Sequence, residues 1–283
     1  MKIYTNAQLL KKTVLKCFYY KRLICEYIEY LQVKWRIPEQ YPTINSLDIT
    51  KIGSVLIFAP HSDDEWIGNS QILLNNTHSE IAYMCFYGEN QTLENIKTRD
   101  KEIADLADRL SVRLYMCNED RLKHLQNLLN DKQYDTILIP SPFDWHPQHR
   151  QTFSIALNLL SIMKNEGCII PHVYYYHISV PHIVSNKFYA VLMDRTQQRQ
   201  KWKIFYDVYQ SQSFMPTERY GLQERLDARG LGYACELYIL RSFDEMVSDW
   251  IWINEKNESI LNHLKSKISS IYDIRCSVAN LFR

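Results

Sequence analysis

Ser54-Val55-Leu56-Ile57-Phe58-Ala59-Pro60-His61-Ser62-Asp63-Asp64-Glu65 is the stretch on which the fold and the chemistry of this chain turn. Val55 to Ala59 form a short apolar run between Gly53 and Pro60. Such a run is the pattern of a strand buried on both faces of a parallel sheet. A histidine, two aspartates and a glutamate follow at once. In open α/β sheets ligands bind beyond the carboxyl ends of the strands, so a polar cluster here marks the expected site.

Outward from this stretch, strands and helices alternate. Residues 80–87, 112–117, 136–140 and 173–178 read as further strands, the first of them closed by Gly88. Residues 68–76, 94–110, 121–129 and 149–163 read as helices. That alternation predicts βαβ crossovers and an α/β fold whose sheet is covered on both faces. Residues 7–33 lack Gly and Pro and predict one or two helices, ended near Pro38 and Pro42, with 39–48 as a connector. After residue 195 the pattern weakens: 195–209 reads as helix, 236–239 as strand and 243–271 as amphipathic helix. The division is a helical N-terminal extension at 1–50, a central domain at 51–244 and a helical C-terminal extension at 245–283.

Composition narrows the function. The 283 residues carry 33 basic and 32 acidic side chains, so no overall field would steer a polyanion and no nucleic-acid partner is expected. Apolar residues at 46% suffice for a sizeable core. Seven scattered cysteines without a CxxC pair argue against a disulfide framework or a cysteine zinc knuckle, and for reduced thiols in a cytoplasmic protein. No signal peptide is seen, because Lys11, Lys12, Lys16, Lys21 and Arg22 interrupt the early apolar residues. No run reaches the roughly 18 apolar residues of a membrane span.

A second polar segment, Asp144-Trp145-His146-Pro147-Gln148-His149-Arg150, follows the fourth strand of the core. Pro147 suits the first helical position, which puts His146 at the cap and His149 one turn on, facing the same side. A hydrolytic zinc usually takes three His or carboxylate ligands and leaves the fourth position for water. His61, Asp64 and His149 can supply that set. A neighbouring carboxylate, Asp63, can take a proton from water, and His146 as imidazolium can stabilise an oxyanion.

These residues resemble the PIG-L/LmbE-like family of zinc-dependent N-acetylglucosaminyl deacetylases. Pro60 to Glu65 is similar to the family's Pro-His-Pro-Asp-Asp-Glu, with Ser62 in place of the second Pro. Asp144 to His149 is similar to its Asp-x-His-Pro-Asp-His segment, with Gln148 in place of the Asp. Arg99 and Glu102 resemble its helical Arg and Glu, residues 209–212 a helix-terminal Ser-Gln element, and 233–238 a late strand carrying Glu236. The resemblance runs in order from about residue 54 to 243. It implies a Rossmann-like three-layer sandwich with a mainly parallel sheet and no dinucleotide, in keeping with the absence of GxGxxG. It implies His61, Asp64 and His149 as ligands of Zn2+ (or of another divalent metal such as Fe2+). It implies Asp63 as general base and His146 as oxyanion stabiliser or proton donor. Arg99, Glu65 and Asp144 are placed on the substrate side, Glu65 either on sugar hydroxyls or positioning the metal loop. Neither substitution removes a ligand.

Each residue alone has an ordinary reading. Arg99 with Glu102 is a helix salt bridge, Glu65 a helix-dipole partner, and Asp-Asp-Glu a solvated turn. The remaining histidines, His78, His124, His172, His177, His182 and His263, have no ligand spacing and read as structural or exposed. The run Tyr174-Tyr175-Tyr176 fits a half-buried strand better than a carbohydrate-stacking wall. The expected activity is hydrolysis of an N-acetyl group on an amino-sugar substrate in surface glycan or glycoconjugate biosynthesis. The rivals are a zinc amidase on another small amide and a non-catalytic metal-binding partner of a glycan-assembly complex. The basic-aromatic N-terminal helix allows peripheral membrane contact, although packing on the domain is the simpler reading, and the terminal helices allow a homo-oligomer interface.

Overall fold

The computed structural model describes residues 6–36, 43–87, 91–118, 120–182 and 187–281, with backbone only for 6–13, 15 and 256–258. The helix stops assigned to Pro38 and Pro42 and the strand stop at Gly88 lie outside the described residues. One eight-stranded sheet forms the centre. In chain order its strands are β1 (Ile44–Ser46), β2 (Val55–Ala59), β3 (Ser79–Tyr83), β4 (Arg113–Met116), β5 (Thr136–Pro140), β6 (His172–Tyr176), β7 (Phe188–Met193) and β8 (Ala234–Arg241). The spatial order is β1-β7-β8-β6-β5-β2-β3-β4. Strands β4, β3, β2, β5 and β6 run parallel to one another, and β1 is parallel to β7. Only β8 is antiparallel, to β6 and β7 on either side.

The helices are α1 (Asn6–Arg36), α2 (Asp64–Asn75), α3 (Leu93–Leu110), α4 (Arg121–Asp131), α5 (Pro147–Asn165), α6 (Arg195–Val208), α7 (Thr217–Ala228), α8 (Phe243–Lys267) and α9 (Ile271–Leu281). Period-two alternation along the strands feeds two separate cores. Leu56, Phe58, Ile137, Ile139 and Tyr175 face a core shared with Leu125 of α4, Phe153 of α5, Met246 of α8 and Ile274 of α9. Val55, Ile57, Ala59, Leu138, Tyr174 and Tyr176 face the other, with Ile67 of α2, Ile103 of α3 and Ile204 of α6. The result is a helix–sheet–helix sandwich, consistent with the Rossmann-like expectation.

Several elements differ from the sequence reading. Residues 39–48, which read as a connector, contain β1, which adds an edge strand next to β7, and neither β7 nor α7 is marked by the sequence pattern. The C-terminal helices α8 and α9 contribute Met246, Leu261, Ile274 and Val278 to the first core. The three tyrosines of β6 are buried to 7% exposure or less, so the strand is fully rather than half buried. None of the described helices is long and apolar enough to cross a membrane.

The chain leaves β2 toward β3 and β4 on one side, then returns to place β5 on the other side of β2. The loops after β2 and β5 therefore diverge at a topological switch point, where a crevice opens at the carboxyl ends. Both polar segments lie there.

Candidate metal centre

The loop after β2 ends at Asp63, the N-cap of α2, with φ 140° and ψ −27°. An L-residue at positive φ with a β-carbon is strained, by roughly 1–3 kcal/mol, and such strain persists where neighbours over-determine it. Here the Glu65 carboxylate accepts the Asp63 backbone N–H at 3.2 Å. Glu65 also accepts the Tyr209 hydroxyl. Ser62 donates through Oγ to the Arg99 carbonyl at 2.9 Å. A proline at position 62 has no hydroxyl for that tie. Gln212 donates to the Ser62 carbonyl. Further along α2, a β-carbon on Gly68 would lie 2.4 Å from the Tyr176 ring, so only glycine lets α2 settle this close to β6.

The second segment behaves as its sequence predicts. His146 caps α5, Pro147 opens it, and His149 lies one turn in, 3% exposed. His61 Nδ1 is 3.0 Å from Asp64 Oδ2, His149 Nε2 is 3.2 Å from the same oxygen, and the two nitrogens are 3.3 Å apart. Zinc ligands at about 2.0–2.1 Å in tetrahedral geometry stand roughly 3.3–3.4 Å from one another. The triangle therefore matches three vertices around one ion. The three imidazoles of His61, His146 and His149 also each present a ring nitrogen within 4.8 Å of the others, a looser set. We favour the triangle with Asp64, whose edges are all ligand-length.

The supports behind the triangle fit a metal as well. Asp144 Oδ2 lies 3.3 Å from His149 Nδ1, which leaves Nε2 to face the centre. The Gln148 amide oxygen lies 2.5 Å from His61 Nε2, and its amide donates to the Tyr87 carbonyl at 3.1 Å. An amide oxygen can only accept, so His61 carries its proton on Nε2 and turns the Nδ1 lone pair to the centre. This is what Gln148 does in place of an aspartate.

The charges need a cation. Burial pushes the Asp63 carboxyl well up, and Asp64 and Glu65 push it further. Burial also works against Asp64, but His149 and His61 outweigh it and hold that carboxyl well below its usual range. Burial disfavours charge on His149, yet Asp64 and Asp144 overcome it and raise its pKa well above the usual value. His149 thus sits between two carboxylates that a bound cation would balance.

Burial, followed by His149 and His61, lowers His146 to about 4. Its Nδ1 accepts the Gln148 backbone N–H at 3.3 Å. With Nδ1 accepting, Nε2 is the ring nitrogen left to donate.

A cavity of about 550 Å³ opens over the triangle. His61, Asp63, Asp64, His146, His149 and Arg99 all line it. Arg99 reaches Gln212 Oε1 at 3.1 Å, while Glu102 accepts Ser211 N–H at 2.7 Å and Ser211 Oγ at 2.6 Å. The Arg99–Glu102 salt bridge of the ordinary reading is thereby replaced by two separate ties to the 210–212 turn.

Two expected substrate contacts are corrected. Glu65 is fully buried, its carboxylate taken by Tyr209 and the Asp63 N–H, and burial raises it to about 7. Of its two expected roles, the geometry is that of holding the loop. Asp144 is 2% exposed and accepts the His146 N–H at 2.9 Å, so it backs the histidines instead of meeting a substrate. Glu236 is buried beneath α2, where it accepts Ser70 Oγ at 2.6 Å and Lys201 Nζ at 2.8 Å. Gln91, Tyr220 and Gln223 line the cavity and belong to no motif, and Trp145, at the variable position of the second segment, lines it as well.

No known family profile matches the chain, and no curated protein does. Solved structures share the fold. The conserved protein TT1542 from Thermus thermophilus aligns with a TM-score of 0.54 at 21% identity, over 67% of this chain and 95% of its own. A deacetylase of the teicoplanin biosynthesis pathway, solved as a bog complex, gives 0.50 at 12% identity, over 66% and 97%. The A40926 pseudoaglycone deacetylase Dbv21 gives 0.50 at 11%, over 67% and 97%. At these identities the likeness is one of fold.

Proposed function

We propose that the chain is a zinc-dependent hydrolase of the PIG-L/LmbE-like type, which removes an N-acetyl group from an amino-sugar-containing substrate in glycan or glycoconjugate biosynthesis. The observation that carries this reading is the ligand-length triangle of His61, Asp64 and His149 beside the strained Asp63. Two fold neighbours that are deacetylases by name lend it support.

His61, Asp64 and His149 hold the metal, and Fe2+ suits the same donors. When bound, zinc polarises the amide carbonyl and lowers the pKa of water toward ~7. Asp63, at the cavity floor, takes the proton of the attacking water and passes it to the departing amine. The carbon–oxygen bond forms first to give a tetrahedral adduct, whose collapse breaks the carbon–nitrogen bond as the nitrogen takes the proton, giving acetate and a free amino sugar. Neutral His146 donates from Nε2 to the oxygen on which charge develops. Arg99, on the cavity wall, binds a hydroxyl or phosphate of the substrate.

Acetate release from N-acetylglucosamine and its uridine-diphosphate derivative, with zinc-loaded wild type and Asp63→Ala, tests the reading. Release by the wild type that vanishes in the variant is expected. No release from any N-acetylhexosamine derivative by a fully metal-loaded wild type would sink the amino-sugar assignment.

A further inference from the structure

Helix α1 packs one face on the domain and leaves the opposite face apolar and open. Val33 is buried with Leu222 and Leu226 of α7 and Ile271 of α9. On the outer side, Tyr20, Ile24, Ile28 and Trp35 are 59%, 61%, 49% and 75% exposed. Their spacing places them on one stripe about 22 Å long. A continuous exposed stripe of this kind marks an interaction surface.

Charge selects the partner. Lys16, Lys21, Lys34 and Arg36 flank the stripe and are exposed. The carboxylates of α1 turn inward: Glu26 pairs with Arg22 and Arg219, each at 3.1 Å, and Glu29 accepts the Ile271 N–H at 2.7 Å. Glu218 of α7, near one end, is held by the Tyr19 hydroxyl at 2.7 Å.

Beside the stripe lies a cavity of about 490 Å³, distinct from the one over the metal centre. Tyr27, Tyr30 and Lys34 of α1 meet Arg225, Arg229 and Arg275 there, and no carboxylate is among its described lining residues. Arg275 is balanced from behind by Asp227 at 2.7 Å. Arg225 stacks 4.6 Å over the Tyr233 ring and donates to the Gln198 amide oxygen at 3.1 Å, so neither contact neutralises it. A cation-lined pocket with tyrosine walls suits a phosphate group.

We propose that α1 and this pocket form a docking surface for an anionic phospholipid bilayer. The apolar stripe enters the interface, the flanking cations meet the surface potential, and the pocket takes a headgroup phosphate. A second copy is disfavoured, because like faces would bring their cations together.

Sedimentation of the full chain with vesicles of phosphatidylcholine alone, and with equimolar phosphatidylglycerol, tests this. The chain should pellet with the anionic vesicles only, and less as salt rises. Combining Ile24→Asp with Ile28→Asp should lower the partition at least about tenfold with circular dichroism unchanged. Lys34→Glu should lower it about fivefold. Failure to pellet with anionic vesicles, or equal pelleting with neutral ones, would overturn the proposal. A solution dimer that the double variant dissolves would give the stripe to a second copy. Inorganic pyrophosphate binding that Lys34→Glu abolishes, without vesicle binding, would give the pocket to a soluble ligand.

Discussion

His61, His149, Asp64 and Asp144 on one side, and His177, His182, Asp227 and Arg275 on the other, are built from nearly the same side chains. Ring proximity does not separate them: His61 and His149 have centroids 5.2 Å apart, His177 and His182 4.8 Å. What differs is where the lone pairs go. In the first cluster, Nδ1 of His61, Nε2 of His149 and one Asp64 oxygen converge below a cavity. In the second, His177 Nε2 lies 3.1 Å from Asp227, and His182 Nε2 sits 2.9 Å from the Leu237 carbonyl. Charge differs too. Asp227 is matched by the buried Arg275, whereas Asp64 and Asp144 both face the ring of His149. Carboxylate matched by guanidinium is scaffold, and converging donors with unmatched negative charge call for a metal.

The sharpest way to break the comparison is to remove a converging donor. Asp64→Ala or His149→Ala should abolish stoichiometric zinc and cut acetate release by at least about 10³-fold, read by metal analysis and turnover. Asp63→Asn should lower turnover about 10²–10⁴-fold while zinc content stays at that of the wild type. Loss of zinc in that variant would make Asp63 a ligand and not a base.

The second cluster should answer in stability. Asp227→Ala leaves Arg275 and His177 buried without their carboxylate and should cost about 3–5 kcal/mol in denaturant unfolding, with zinc per folded chain unchanged. Burial raises the Asp227 carboxyl, but Arg275 and His177 reverse this and hold it below its usual range. Its contribution is therefore present above the ordinary carboxyl range and lost as pH falls through the depressed value. Asp227→Asn should flatten that acid limb of stability. The mildest change, Asp144→Asn, keeps every metal donor and should weaken zinc affinity about 10–100-fold by loosening His149.

The parallel half of the sheet is legible in the sequence because β2 and β5 are short apolar runs that end at Pro60 and Pro140, and each precedes a helix. Their polar ends carry the converging donors, so the candidate site is legible with them. Strands β1 and β7 escape that reading. β1 is a three-residue edge strand, and β7 beside it mixes buried Phe188 with exposed Leu192. Glu65 and Asp144 show another limit. A carboxylate that lines a cavity and one that backs a histidine from within are identical as letters, and only the contacts each makes in the fold separate them. Residues 209–212 form the turn beside the cavity. Its work, holding Ser62, Arg99 and Glu102 together, depends on contacts more than a hundred residues apart in sequence.

Anomalous diffraction from crystals of the zinc-loaded chain tests the central claim most directly. One ion should appear within about 2.0–2.2 Å of His61 Nδ1, Asp64 Oδ2 and His149 Nε2, with Asp63 outside its ligand shell. An ion held by His61, His146 and His149 without Asp64, or no ion at the triangle, would contradict the account.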